Sequence, residues 1–326
     1  VIEVEIIAAS VAADRGLRAL ADLAAAAHGS NYRVVGGHMV NLLTRIYPTT
    51  DTVARVTADA DAGMDTVVAA DAALHDGLLT RGYQLVKGNH YEAPSGADVP
   101  LSVDLLVPGT GTRALERVEY AGRGFDAIPG LNLALAAEPL SVRVQAQLTT
   151  TQTMTFDVTI PHVEQAIVLK ALAWRSRLAS KDVTDLCALM AITHDHRQHF
   201  PEWKLDSARK GARGDAAQTL HDLASMVDRG RQRDGLTLPP GRFTALIRRY
   251  IADPNTGHVA GAPLSQRRAS SEAVSDDVLA AVSAAMQGHR RRPQRGKSDG
   301  ITPPQSTQET SLGAGPEPEP PHHHSL

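Results

Sequence analysis

The sequence predicts an α+β fold: a mixed sheet flanked by helices, then a mainly helical half and a disordered tail. Three observations carry this expectation. Helical and alternating apolar runs intermix up to residue 160. From Pro161 onward the pattern is almost wholly helical. From about residue 288 apolar residues become sparse among Arg, Pro, Ser, Thr and Glu, a composition that cannot bury a core. The corresponding boundaries are 1–160, 161–287 and 288–326.

The elements follow from local patterning. Residues 11–30 are Ala-rich, with Leu17, Leu20 and Leu23 at helical spacing. Tyr32–Gly37 reads as a short strand running into a glycine pair, and His38–Tyr47 as a helix that Pro48 ends. Val53–Asp61 alternates as a strand does, with Val53, Arg55, Thr57, Asp59 and Asp61 on one face. Asp65–Tyr83 reads as a helix, and Tyr83–Val86 and Leu101–Val107 as strands. Residues 112–160 form a mostly β segment, with runs at Ser141–Leu148 and Met154–Ile160. Amphipathic helices are predicted over Val163–Leu178 and Asp182–Thr193, and further helices over 214–229, 241–252 and 272–287. Pro239 and Pro240 precede the second of these, where the first turn tolerates proline.

Composition narrows the function classes. Cys187 is the single cysteine, so an intramolecular disulfide and a multi-cysteine zinc site are both excluded. No apolar run approaches the roughly 20 residues of a membrane span. The opening VIEVEII lacks the basic start of a signal peptide, and the expectation is a soluble, cytoplasmic protein with no membrane association. Charge is uneven: residues 1–160 carry 11 Lys+Arg against 18 Asp+Glu, and residues 161–300 carry 22 against 15. An acidic segment beside a basic one suits a metal-binding half joined to a half that meets polyanions; a solvated basic helical surface accounts for the second equally well.

Three segments carry the chemistry. Gly36 and Gly37, followed by His38, stand between a strand and a helix, where a bare backbone and free N–H groups can approach an anion such as a triphosphate. Asp59 and Asp61, two apart on a strand, point the same way. Two carboxylates at ~4 Å repel by roughly 4 kcal/mol at an effective dielectric of ~20, so such a pair calls for a cation. Mg²⁺ suits, being held by one or two carboxylates plus substrate phosphates. Asp104 interrupts the apolar strand SVDLLV and should face a cleft, a metal or a partner, as a second metal ligand or a general base. Further on, Lys170 and Arg177 are seven apart, two helical turns, and share a face able to bind phosphates. Asp182 opens the next helix, placed to pair with Lys170 or to receive a proton.

The order strand, Gly-Gly, helix, Asp-x-Asp, then a lone Asp on a later strand resembles the polymerase-β-like nucleotidyltransferases. Within them the chain resembles the AbiEii/MenT nucleotidyltransferase toxins, in which Arg-x-Thr leads into the Asp-x-Asp as Arg55-Val-Thr57 does here. Lys170 to Arg177, then Lys181-Asp182 and Asp185-Leu186, are similar to the helical motifs of that family. The likeness covers roughly residues 30–195. It departs at His38, where the wider superfamily often has Ser or Thr against a phosphate. The resemblance implies a Mg²⁺-dependent transfer from a nucleoside triphosphate with release of pyrophosphate. Asp59, Asp61 and Asp104 would be metal ligands. Gly36, Gly37, His38, Thr57, Lys170 and Arg177 would contact the nucleotide, and Lys170 and Asp182 would be catalytic. It further implies a toxin of a toxin–antitoxin or phage-defence system, an antitoxin partner, and RNA, the 3′ end of tRNA, as acceptor. Arg209, Lys210, Arg213, Arg229, Arg231 and Arg233 are where an RNA would be seated. The alternatives are the same chemistry on a small molecule or a protein hydroxyl, and a non-catalytic nucleotide- or RNA-binding relative.

Overall fold

Ten strands and nine α-helices build the described part of this computed structural model, which covers residues 1–52, 55–109, 116–207 and 210–254. The first half runs β1 (Ile2–Ile7), α1 (Val11–Ala26), β2 (Tyr32–Val34), α2 (Gly36–Ile46), β3 (Asp59–Met64), α3 (Thr66–Ala69), α4 (Ala72–Thr80), β4 (Gln84–Lys87), β5 (His90–Ala93) and β6 (Leu101–Pro108). It continues with β7 (Glu116–Tyr120), β8 (Arg123–Ile128), α5 (Leu131–Ala136), β9 (Leu140–Gln147) and β10 (Thr153–Ile160). Then come α6 (Val163–Arg177), α7 (Ser180–His196), a 3₁₀ turn at Arg197–His199, α8 (Ala212–Asp228) and α9 (Pro240–Tyr250). The mixed sheets flanked by helices and the more helical part after residue 160 agree with the α+β expectation.

Seven strands form the main sheet, in the order β2-β3-β6-β5-β4, with β8 added to β6 and β7 to β8. Its centre is mixed: β3 and β6 run parallel, with Asp61 opposite Asp104, while β5 runs antiparallel to β6, with His90 opposite Asp104. β8 runs parallel to the end of β6, with Asp126 opposite Leu106. Strict alternation along β6 buries Leu101, Val103, Leu105 and Val107 on one face and leaves Ser102, Asp104 and Leu106 half-buried on the other. A smaller sheet, β1-β9-β10, joins the first through Thr159, whose hydroxyl donates to the Tyr32 carbonyl. The core is filled mainly by Ala, Val and Leu from both halves of the chain, with Tyr83, Tyr91, Phe125 and Phe243 as its largest fully buried side chains. The described residues up to 254 form one compact unit in which α2 packs on α6 and α7, and α5 packs on α6.

Several expectations shift. The strand foreseen over Val53–Asp61 begins only at Asp59 and extends to Met64, with residues 55–58 irregular and residues 53–54 outside the described residues. The helix foreseen over Asp65–Tyr83 is split into α3 and α4, because Asp71 caps α4 by accepting from the Ala73 N–H. β1, β5 and α5 are additional to the elements expected from the sequence. β1 is held by parallel pairing to β9, a partner about 140 residues away in sequence that local patterning cannot reveal. The helix foreseen at 272–287, the tail from 288 and Arg209 lie outside the described residues. Among the described residues no helix is long and apolar enough to cross a membrane.

Candidate active site

The sheet face that carries Asp104 opens onto a cavity of about 280 Å³. Its floor holds four carboxylates, Asp59, Asp61, Asp104 and Asp126; Gly36, Gly37 and Thr57 close one end, and Lys170, Ser176, Arg177 and Lys181 stand on α6 and α7 above.

The glycine pair sits at the first two positions of α2, with Val35 as N-cap. Gly36 has φ +62°, and a Cβ there would lie 1.9 Å from Asp61 Oδ2. A Cβ on Gly37 would lie 1.9 Å from Thr57 Oγ1. Both glycines are thus required by side chains of the strand region behind them, and Asp61 is brought against a helix N-terminus that favours negative charge. The Val35 N–H donates to the Asp61 carbonyl at 3.0 Å and fixes this approach.

The carboxylates feel one another. Burial, and then the charges of Asp59 and Asp104, push the Asp61 carboxyl up to about 7. Burial also raises Asp104, with further contributions from Asp59 and Asp126, while a hydrogen bond to His90 opposes the rise. That bond is 2.8 Å, from His90 Nδ1 to Asp104 Oδ1, and the other ring nitrogen meets Glu92 Oε1 at 3.1 Å. Burial opposes charge on His90, but its two carboxylate partners outweigh burial and raise its pKa.

Above the floor lies a buried ionic network. Lys170, 3 % exposed, places Nζ 2.6 Å from Asp185 Oδ2 and 3.7 Å from Asp182 Oδ1. Arg55 donates to both oxygens of Asp185, at 3.1 and 3.2 Å. Arg177 donates to both oxygens of Asp182, at 2.7 and 2.6 Å. Its side chain remains 40 % exposed and lines the cavity. Two buried carboxylates therefore hold three cations in place, with the bidentate geometry that arginine favours. Arg55 joins the segment before Asp59 to α7, so the network ties the sheet to the helices.

Two sequence-based assignments are corrected. Asp182 is fully buried, does not line the cavity and has both oxygens occupied by Arg177; it positions that arginine and is not placed to receive a substrate proton. The closer partner of Lys170 is Asp185. His38, 3 % exposed, also lies outside the cavity lining, with Nε2 beside Gly16 of α1. Burial lowers its pKa to about 4, so at neutral pH it brings no positive charge to a phosphate. The other residues singled out, Asp59, Asp61, Asp104, Gly36, Gly37, Thr57, Lys170 and Arg177, meet at this one cavity. Asp126 was missed, although its signal matches that of Asp104: a lone acid between Phe125 and Ala127, both buried.

Among the described residues no three His, Cys, Asp or Glu side chains form a group that could by itself hold a metal ion. The donor set nevertheless fits magnesium. It is made of carboxylate oxygens, and Mg²⁺ is usually bound by one or two carboxylates with water and substrate phosphates completing the shell. Burial, and then the charges of Asp59 and Asp104, raise Asp61 to about 7, and the part owed to those neighbouring charges is what a bound cation relieves.

A stability prediction follows. With a folded pKa of about 7 against 3.8, the folded protein keeps a proton on Asp61 that the unfolded chain has lost. Stability from this group is therefore complete below pH ~4 and is lost as pH rises to ~7. Asp61→Asn removes that loss. At pH 8 in EDTA it should melt roughly 10 °C above wild type, a difference that vanishes near pH 4. Equal melting temperatures at pH 8 would show that burial and the neighbouring carboxylates do not raise Asp61 as described.

No family model matches this chain, and none of the curated proteins compared with it does.

Proposed function

We propose that this chain is a magnesium-dependent nucleotidyltransferase of the AbiEii/MenT type, moving a nucleotide from a nucleoside triphosphate to RNA, with the 3′ end of tRNA as acceptor. On this reading it is a cytoplasmic toxin of a toxin–antitoxin or phage-defence system. The observation that supports it best is the pairing of Asp61 with Asp104 across β3 and β6, beneath Lys170 and Arg177 and beside the glycine turn. Far-separated segments of the chain supply complementary charge to one cavity large enough for the phosphates of a nucleotide.

Each group then has a role. Asp61 and Asp104, with Asp59 beside them, would hold Mg²⁺ together with water and the phosphates, and the ion when bound would neutralise the triphosphate and draw charge from the reacting phosphorus. Gly36 and Gly37 let the phosphates approach the start of α2. Lys170, Arg177 and Lys181 stabilise charge that develops as the bond from the α-phosphorus to pyrophosphate breaks. The acceptor hydroxyl forms the new bond to that phosphorus, and its proton passes to a floor carboxylate, Asp104 being the one already engaged with His90. Positioning and electrostatics supply most of the rate. The test is incubation with total RNA and each labelled triphosphate, wild type beside Asp61→Ala. Label entering RNA with wild type alone supports the reading. Label on a protein or small molecule redirects the acceptor, and no transfer with any triphosphate rejects the enzyme.

The RNA is assigned to the basic surface after residue 161. Arg213 is committed to Glu164, which leaves Arg229, Arg231 and Arg233 as the stronger contacts. Their loop is anchored beside the cavity: the Thr184 hydroxyl, one turn along α7 from Lys181, donates to the Gly235 carbonyl at 2.9 Å. Arg229→Glu with Arg231→Glu should weaken RNA binding and reduce its salt slope by about 2. Unchanged affinity and slope in filter binding would move the RNA elsewhere.

A further inference from the structure

His90 and Glu92 stand behind the floor of the active-site cavity without lining it. Both come from β5, on the sheet face that carries Asp104. His90 is the direct cross-strand neighbour of Asp104, and Glu92 follows two residues on, opposite Ser102. The His90 ring joins the two acids, with Nδ1 2.8 Å from Asp104 Oδ1 and Nε2 3.1 Å from Glu92 Oε1. An ionised carboxylate accepts and cannot donate, so the ring nitrogens supply the protons of both bonds.

The backbone delivers the ring to this place with little freedom. β4 and β5 meet in a two-residue turn, Gly88-Asn89. Gly88 has φ +57°, and a Cβ there would lie 2.7 Å from the Gly124 carbonyl oxygen, so the turn sits directly on β8. The Asn89 carbonyl then accepts from the Leu105 N–H at 3.0 Å, which ties the start of β5 to β6 immediately beside Asp104. The side chains of His90 and Glu92 are 32 % and 40 % exposed, so the core does not depend on them. An exposed ion pair of this kind adds only about 0–1 kcal/mol of stability.

Asp104, by contrast, gains from such a partner. A carboxylate that ligates a metal can turn about its own bonds, and a hydrogen bond to one oxygen fixes which oxygen meets the ion. The imidazole occupies Oδ1, which leaves Oδ2 for a ligand. Glu92 balances the charge of the ring, so the donor orients Asp104 while adding little net positive charge beside a cation.

We propose that His90 is a positioning residue of the metal site: it holds Asp104 by one oxygen and is itself held by Glu92. The proposal rests on the magnesium reading above and extends that site by two residues of β5.

Mn²⁺ affinity, measured by water-proton relaxation with a non-hydrolysable nucleoside triphosphate present, tests it. Loss of a hydrogen-bonding partner behind a metal ligand typically costs about 10–100-fold in affinity, and His90→Leu should weaken binding at least about tenfold. His90→Asn, whose amide nitrogen can take the place of Nδ1, should recover most of that loss. Glu92→Gln should weaken binding less than His90→Leu does. In an Asp104→Asn background His90→Leu should have no further effect, because it acts through Asp104. Each variant is titrated at a temperature at which circular dichroism shows it folded. Unchanged or tighter binding in His90→Leu, or an equal loss in the Asp104→Asn background, overturns the proposal and leaves the magnesium site standing. Absence of Mn²⁺ binding by wild type overturns the proposal and the reading beneath it together.

Discussion

Asp185→Ala should destabilise the protein by about 3–5 kcal/mol, the usual consequence of removing one partner from a buried ionic group. Lys170 Nζ would be left with Asp182 alone, at 3.7 Å, and Asp182 already accepts two hydrogen bonds from Arg177. Arg55 would lose its bidentate partner at the same time. The expected fall in melting temperature is roughly 10 °C. The control is Asp195→Ala, an exposed acid on the same helix, which should change stability by no more than about 0.5 kcal/mol. Near-equal effects of the two substitutions in urea unfolding would mean that Lys170 is not held as described.

Gly36→Ala should leave the fold in place and remove at least about 99 % of any transferase activity. The new methyl group would coincide with Asp61 Oδ2, so the carboxylate must leave its position opposite Asp104. The backbone itself, at φ +62°, adds a strain of about 1–2 kcal/mol for a residue with a Cβ. Gly82→Ala separates the two contributions. Gly82 has φ +84° with nothing within 4 Å of its Cβ position, so that variant carries the strain without the clash. Activity should survive in it. Equal losses in both variants would make the effect one of stability alone.

Much of this site was legible in the sequence because its signals are local. Two aspartates two apart on a strand must share a face, and the glycine pair marks a close approach whatever follows it. The correct weighting of Asp182 and Asp185 was not legible. They lie three apart on α7 and both face α6, and only the packing of the two helices decides that Asp185 meets Lys170 at 2.6 Å. The placement of His38 is hidden for a similar reason. This residue follows the glycines in sequence, but helical rotation turns it onto Gly16 and away from the cavity. Asp126, His90 and Glu92 depend on strand neighbours that sequence does not specify: β8 adds in parallel to the end of β6, and β5 returns antiparallel along its start. Thr57 reaches Gly37 from an irregular segment, where strand alternation gives no guide.

The central claim is that Asp61 and Asp104 act together on one divalent ion beside a bound triphosphate. Titration with Mn²⁺, a paramagnetic substitute for Mg²⁺, in the presence of a non-hydrolysable nucleoside triphosphate tests it most directly. Electron paramagnetic resonance should report one ion bound per ternary complex in wild type. That binding should weaken at least tenfold in Asp61→Asn and in Asp104→Asn, and stay unchanged in Asp98→Asn, an exposed acid outside the cavity lining. Wild-type ion binding in both Asp61→Asn and Asp104→Asn would contradict it.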